Sequence, residues 1–457
     1  MSSSSSIAER VREAGIVGAG GAGFPTHVKF GAKVETVIAN GAECEPLLRC
    51  DKAVMRERTE DVLRGLSLLA EATGAARVVI ALKAHYADVV GRVREVAQAS
   101  FPDIEVFELG NYYPAGDEQV LVNAVTGRVV PEGGIPLQVS AVVSNVITLS
   151  QVARAVDLGL PVTRRPLTVG GDVRRPLTCE LPIGAPMSLA VELAGGPAVD
   201  GEWVIIEGGP MMGRLVEDSG EPVTKKTSGV IVLPADHPLV LSKRRDMDRE
   251  VLLTRAACCQ CRVCTDLCPR ANLGHAIQPH LAMRAVSSWA RGDGLPEGWD
   301  PPPEQITAAY LCCLCGVCEV YACPMGLSPR KVFDQMRASL IAAGQKSPHH
   351  RDRLTPNDFI GARRVPLPRL IARLDLTARA AAPDRVDWRT IAVPRVCIPL
   401  SQHTGAPAGP VVRQGQTVGE GELIAEIPDD KLGARMHASI GGRVTRVDEN
   451  EICIEAS

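Results

Sequence analysis

The stretch GIVGAGGAGFPTHVKF, residues 15–30, places four glycines within positions 18–23 and follows them with Phe24-Pro25 and Lys29. Glycine lets backbone N–H groups approach an oxyanion, so a loop of this kind can cradle a phosphate, a tight turn being the plainer alternative. No Gly-Lys-Ser/Thr follows it, which excludes a Walker loop. Its flanks decide the fold class. Upstream, Ser6-Ile-Ala-Glu9 has the form of a capping box and predicts a short helix over 7–14 that Gly15 ends, with the serine run before it reading as a tail. Downstream, β-branched runs at 34–39, 78–82 and 139–144 alternate with helical stretches at 59–73 and 86–98. That alternation predicts an α/β unit on a largely parallel sheet.

At 457 residues the chain has room for about three domains. A hydrophobic content of 45% and a formal net charge of -3 describe an ordinary globular protein and lend no support to nucleic-acid binding. No run approaches the roughly 18 apolar residues of a membrane span, and the first residues lack the apolar stretch of a signal peptide. The expectation is a cytosolic protein without membrane insertion. Ten of the 15 cysteines crowd into two short segments, which in a reducing compartment reads as metal ligation rather than a disulfide framework.

The first run, CCQCRVCTDLCP, contains Cys258-x2-Cys261-x2-Cys264-x3-Cys268-Pro269, the spacing that holds a [4Fe-4S] cubane. The second, CCLCGVCEVYACP, gives Cys312-x2-Cys315-x2-Cys318-x4-Cys323-Pro324, with a last gap one residue longer. In such pairs the fourth cysteine of each run serves the other cluster. One cluster would then use Cys258, Cys261, Cys264 and Cys323, and the other Cys312, Cys315, Cys318 and Cys268. Cys259 and Cys313 fall outside the spacing. Structural zinc is the alternative, though zinc needs neither a third Cys-x2-Cys step nor a Cys-Pro ending. Cys44, Cys50, Cys179, Cys397 and Cys453 are scattered and read as inert buried thiols.

The remaining segments complete a multidomain α/β architecture. Glycine pairs and strand-like pieces from 166 to 233 predict a small mixed β domain. Proline-rich residues 291–305 read as loop, and Ser328-Pro329 starts a helix on which Val332, Met336 and Leu340 recur until Gly344. Residues 346–394 read as an irregular linker wrapping the other units. The alternation and glycines of GPVVRQGQTVGEGELIAEIP predict a C-terminal all-β module. Within it, Lys431 and Gly442 have a lipoyl-like separation, but Leu432-Gly433 follow the lysine, and an unmodified docking module is the reading taken. The boundaries are 1–165 for a Rossmann-like α/β domain, 166–240 for the β domain, 241–345 for the two-cluster module, 346–394 for the linker and 395–457 for the last module.

GAGGAGFPTHVK resembles the flavin loop of the NADH-binding flavoprotein subunit of respiratory complex I, as do NGAECEP at 40–46, the segment beginning YPAGDEQ, and SNVITL. GGPMMG at 208–213, TSGVIVLP at 227–234 and both cysteine motifs are similar to the C subunit of the Rnf electron-transport complex and to the cobalamin reductases of propanediol-utilisation microcompartments. The Rnf protein has its small β barrel ahead of the flavin domain, whereas here it ends the chain, as in the cobalamin reductases. The resemblance implies an SLBB-like β domain, a barrel-sandwich C-terminal module, and FMN contacts from Gly18, Gly20, Gly21, Gly23, Lys29, Asn40, Glu43, Asp117, Asn145 and Thr148. It places Phe24, Glu45, Tyr113 and Glu118 on the nicotinamide side. Without it, Phe24-Pro25 reads as core and turn and the glutamates as solvated surface. Departures fall at Ala19, where the complex I loop has arginine, at His27, where it has glycine, and at Ala42, where that family has aspartate.

The implied activity is NADH-dependent reduction of a corrinoid through FMN and two [4Fe-4S] clusters, from cob(III)alamin and cob(II)alamin towards cob(I)alamin. The implied setting is cytoplasmic, inside a bacterial microcompartment, with an adenosyltransferase and shell proteins as partners. The alternatives are a non-catalytic electron conduit and an Rnf-like peripheral subunit. His275, His280, His349 and His350 carry no corrinoid signature beyond their chemistry, and the first helix is either ordinary structure or a packaging tag.

Overall fold

Apolar β-branched segments buried on both faces build the first sheet, as a parallel sheet covered by helices requires. In the computed structural model, which describes residues 6–286 and 302–456, the strands of this unit are β1 (Thr36–Gly41), β2 (Arg77–Lys83), β3 (Ile104–Leu109), a two-residue β4 (Tyr112–Tyr113) and β5 (Ala141–Asn145). Four of them form a parallel sheet in the order β3-β2-β1-β5. Its helices are α1 (Ile7–Glu13), α2 (Thr26–Phe30), α3 (Cys50–Glu57), α4 (Thr59–Thr73), α5 (Ala87–Ser100), α6 (Glu118–Thr126) and α7 (Val146–Leu158). The capping box forms: Glu9 N–H donates to Ser6 Oγ at 3.2 Å and Ser6 N–H to the Glu9 carboxylate at 2.6 Å. Most of the serine run lies outside the described residues. β1 and β5 each begin two residues later than the sequence suggests, because Ser140, at φ 55°, turns the chain and its carbonyl accepts from both Glu35 and Thr36 N–H.

A second sheet follows from β6 (Arg164–Gly171), β7 (Leu177–Pro182), β8 (Trp203–Glu207), β9 (Arg214–Val216) and β10 (Gly229–Pro234), with α8 (Met187–Leu193) inserted after β7. It is mixed, β6 pairing parallel to β10 and antiparallel to β7. The segment read as an irregular linker is more ordered than that. Val386–Asp387 adds a parallel edge strand to β7, Val365–Pro366 pairs with β4, and Leu367–Arg373 and Thr377–Ala380 are helical. Edge strands leave main-chain groups unpaired, and this segment supplies their partners.

The cysteine module is helical. Ser328 caps Pro329–Ala342, accepting from Lys331 N–H at 3.4 Å, and Val332, Met336 and Leu340 are buried. Of the proline-rich stretch read as loop, residues up to 301 lie outside the described residues, and Glu304-Gln305 open the helix Glu304–Thr307 instead. The C-terminal module is all β, with a four-stranded and a three-stranded sheet. Cys397 and Cys453, read as isolated thiols, are joined by a disulfide: they face each other across antiparallel strands, with Cα atoms 4.1 Å apart. Lys431 is exposed, and the carbonyl of the next residue, Leu432, accepts from Ala406 N–H at 2.9 Å. Among the described residues no helix is long and apolar enough to cross a membrane.

Helices α4 and α7 pack closely: a Cβ added to Gly65 would stand 1.9 Å from the Leu149 carbonyl oxygen. Backbone cannot give way as a flexible side chain does, so Gly65→Ala should cost about 1–3 kcal/mol despite alanine's better helix propensity. Urea unfolding measures this; a neutral or stabilising result would show that the two helices do not meet this closely.

Candidate functional site

The chain runs from β1 through β2 to β3 on one side of the sheet and returns to β5 on the other, so the carboxyl ends of β1 and β5 flank a switch point, where open α/β sheets bind ligands. Asn40 and Asn145 occupy those ends, paired in register. The loop 18–23 reaches the same place, a Cβ on Gly20 falling 3.8 Å from Asn145 Cβ. Gly18 N–H donates to the Phe24 carbonyl at 2.9 Å and closes the loop. Ala19 N–H donates to Thr148 Oγ1 at 2.9 Å, and the Ala19 carbonyl accepts from the Arg165 guanidinium at 2.9 Å. Among the described residues the amides of Gly20, Gly21 and Ala22 donate to no acceptor. Gly21, at φ 106°, opens onto free space. On the loop's other side, Thr404 of the C-terminal module donates from N–H to the Gly23 carbonyl at 3.0 Å and from Oγ1 to the Ala22 carbonyl at 2.9 Å.

Polar groups interlock beneath the loop. Asn40 Nδ2 donates to the Gly116 carbonyl at 3.0 Å. Glu43 does not turn to open space: its two oxygens accept from Asp51 and Lys52 N–H, each at 2.9 Å, at the start of α3. Asn145 Nδ2 donates to Asp51 Oδ2 at 2.9 Å, so Asp51 joins two of the candidates. Burial, reinforced by the charge of Asp51, pushes Glu43 up to about 8. Burial also raises Asp51, to about 6, against the pull of Arg165. Arg165 is 1% exposed, and its Nη1 has no hydrogen-bond partner among the described residues. An orphaned buried guanidinium N–H and a run of unused amides suit an anionic, oxygen-rich cofactor. Lys29 donates to the Val143 carbonyl at 2.7 Å and lies 3.6 Å from Glu118; Glu118 and Phe24 are both half-buried.

Glu45 and Tyr113, which the resemblance places on the nicotinamide side, are both hydrogen-bonded to residues of other units. Glu45 accepts from Met211 N–H at 2.9 Å and Met212 N–H at 3.0 Å. Tyr113, 1% exposed, donates from its hydroxyl to the Cys315 carbonyl at 2.7 Å and lies 3.3 Å from Glu45. A carboxylate leaving water needs donors, and the GGPMMG loop supplies them. Gly209 is glycine because a Cβ there would stand 2.1 Å from Glu45 Oε2. Asp117 caps α6 by accepting from Gln119 and Val120 N–H, and its other oxygen accepts from Arg270 at 2.9 Å.

The cysteines gather in two groups. Cys268, Cys312, Cys315 and Cys318 line one cavity, and Cys258, Cys261, Cys264 and Cys323 another, each drawing its fourth member from the other run. Cys313 borders the first and Cys259 the second. Gln260 and Leu314, equivalent in the two motifs, both have positive φ, as do the next equivalent pair, Arg262 and Gly316. This left-handed repetition turns amides inward, and Leu314 N–H meets Cys312 Sγ at 3.4 Å. The longer second gap is absorbed by a π-helical turn over Cys318–Ala322, the conformation that accommodates one extra residue. Burial pushes the Cys264 and Cys268 thiols up to about 12, so ligation requires the positive charge of a metal centre. Zinc would hold thiolates about 3.8 Å apart, from Zn–S bonds of about 2.3 Å. Among the described residues no three of these sulfurs lie within 4.8 Å of one another, which is room for a larger group.

Asp51, Arg165 and Arg270 were not singled out in the sequence, where nothing marks them but an ordinary charge. Of the histidines, His280 shares a hydrogen bond with the Thr265 hydroxyl at 2.8 Å and His349 with that of Thr307 at 3.0 Å, while His275 is buried.

Comparison with known proteins finds four family models along the chain. The Nuo51 FMN-binding domain matches residues 11–154, the SLBB domain 166–215, the 4Fe-4S dicluster domain 257–328 and the RnfC barrel sandwich hybrid domain 387–456. Cobalamin reductase PduS of Salmonella typhimurium is 41% identical over 99% of this chain and 97% of its own length, and that of Citrobacter freundii 40% identical over 98% and 96%. The Na(+)-translocating ferredoxin:NAD(+) oxidoreductase complex of Acetobacterium woodii has a C subunit that is 36% identical over 58% of this chain and 57% of its own length.

The raised Glu43 pKa has a sign that can be measured in flavin-free protein. The folded state keeps a proton that the unfolded chain releases near 4.5, so stability should fall as pH rises from there through about 8. Glu43→Gln, neutral throughout, should flatten that fall in urea titrations at stepped pH. An unchanged slope would place the proton elsewhere.

Proposed function

The chain belongs to the cobalamin reductase family, and from that premise we propose that it is an NADH-dependent reductase that delivers electrons singly to a corrinoid, using FMN and two [4Fe-4S] clusters. When bound, FMN supplies the exchange between the two-electron chemistry of NADH and the one-electron chemistry of iron–sulfur centres. The overall balance for the first reduction is one NADH and two cob(III)alamin giving NAD+, one proton and two cob(II)alamin; a further electron per corrinoid gives cob(I)alamin.

The observation that carries this reading is the hydrogen-bonded joint between the first α/β unit and the segments that carry one cysteine quartet, through Tyr113 to the Cys315 carbonyl and Asp117 to Arg270. In this reading Gly18, Gly20, Gly21 and Gly23 hold the flavin phosphate and Thr148 fixes the loop. Asn40, Glu43, Asp117, Asn145 and Lys29 surround the rest of the cofactor. Phe24 and Glu118 border the nicotinamide side, Glu45 and Tyr113 act as the joint, and the two quartets ligate the clusters. The domain limits at 165, 240, 345 and 394 belong to the same reading. A cytoplasmic microcompartment setting, with an adenosyltransferase and shell proteins as partners, rests on the resemblance to propanediol-utilisation enzymes.

One observation favours the alternative of a non-catalytic conduit: Glu45 and Tyr113 are already engaged by protein partners, the Met211 amide and the Cys315 carbonyl. Anaerobic mixing of NADH with protein reconstituted with FMN and clusters separates the two. Flavin bleaching together with cob(II)alamin formation from cob(III)alamin supports the reductase; flavin that stays oxidised in fully loaded protein supports the conduit. In the same preparation, Thr148→Val removes the acceptor for Ala19 N–H and should weaken FMN binding by about 1 kcal/mol, roughly fivefold in Kd. Fluorescence titration reads that change, and equal affinity would remove Thr148 from the site.

A further inference from the structure

The two cysteine quartets are not equivalent. In the first, Cys268, Cys315 and Cys318 are each 8% exposed. Its surroundings reach the flavin unit directly: the Cys315 carbonyl takes the Tyr113 hydroxyl, and Arg270, two residues beyond Cys268, takes Asp117. Arg330, which also borders this quartet, donates at 3.0 Å to the carbonyl of Met211, whose N–H is held by Glu45. The second quartet faces outward. Cys261 is exposed, and so is its neighbour Cys259; Cys258, Cys264 and Cys323 are half-buried. Its hydrogen bonds stay within the module, Gln260 Nε2 donating to Cys258 Sγ and to the His280 carbonyl, each at 3.2 Å, and Leu327 N–H to Cys323 Sγ at 3.4 Å. Beside it Met325 is 51% exposed.

We propose that the clusters act in series in one order: the quartet of Cys268, Cys312, Cys315 and Cys318 receives electrons from the flavin, and the quartet of Cys258, Cys261, Cys264 and Cys323 gives them to the acceptor at the surface. The order rests on the reductase reading for its donor and on burial and contact for its direction. Each transfer reduces one centre by one electron and oxidises its neighbour by one, with no bond made or broken in the chain. Electron tunnelling falls steeply with distance, so the quartet bonded to the flavin unit is the entry and the one open to solvent is the exit.

Electron paramagnetic resonance of the dithionite-reduced holoprotein with a soluble dysprosium complex tests the exit without any use of NADH. The cluster signal lost in Cys261→Ser should be broadened by dysprosium, and the signal lost in Cys315→Ser should be spared. Equal broadening, or the reverse, overturns the order. Should either substitution cost both clusters by iron count, the unaltered protein still decides, since one broadened signal of two is required. The entry is tested by rapid freezing after NADH: in Cys315→Ser the remaining cluster should stay oxidised, although dithionite reduces it, and in Cys261→Ser the remaining cluster should be reduced while cob(III)alamin reduction is lost. A remaining cluster in Cys315→Ser that NADH reduces at the unaltered rate overturns the order. Failure of NADH to bleach flavin in unaltered protein would count against the reductase reading alone, with the dysprosium result standing apart from it.

Discussion

Glu45 is a carboxylate withdrawn from water and kept there by donors from distant parts of the chain. The amides of Met211 and Met212 come from the second sheet's loop, and the Tyr113 hydroxyl beside it comes from the first unit and is bonded onward to the cysteine module. Burial raises its pKa, while those amides, the Lys243 ammonium and Tyr113 pull the other way. A partly buried carboxylate is destabilised when it loses such donors, so the joint draws on all three units. The loop is gripped from its carbonyl side too: Lys243 donates to Gly213 at 2.6 Å, and Arg330 to Met211 while pairing with Glu319 on the π-helical turn. Fixed placement of the three units follows from this network rather than from any single interface.

Much of the architecture was legible because local signals carried it. The alternation of β-branched runs and helical stretches, the capping box at Ser6 and the Ser328-Pro329 helix start each depend on a few neighbouring residues, and the structure reproduces them. What was illegible depends on register across long separations. The Cys397–Cys453 disulfide exists because two strands 56 residues apart align in one register. The short strands within 346–394 have too little pattern of their own and are fixed by the edges they complete.

The site was legible to a similar degree. Glycines 18–23 and Asn40 and Asn145, named in the sequence as separate candidates, converge on one switch point. Glu43 and Glu45 look alike in NGAECEP, yet one caps α3 and the other binds the GGPMMG loop, a difference set by which amides the tertiary fold brings near. Arg165 is equally silent in sequence. The loop has alanine at 19, and a guanidinium from β6 reaches the carbonyl of that residue from below. Fully buried cations also flank the region, Lys83 beneath Glu43 and Lys225 between the Gly15 and Arg435 carbonyls, the latter lowered by burial to about 7.

Thr404 holds the carbonyls of Ala22 and Gly23, so the glycine loop is shaped by a module made almost a whole chain length later. During synthesis the loop therefore precedes its brace by 382 residues, and the Ala22 and Gly23 carbonyls gain these two donors only once Thr404 has been made. A chain released short of residue 404 would be made without the brace.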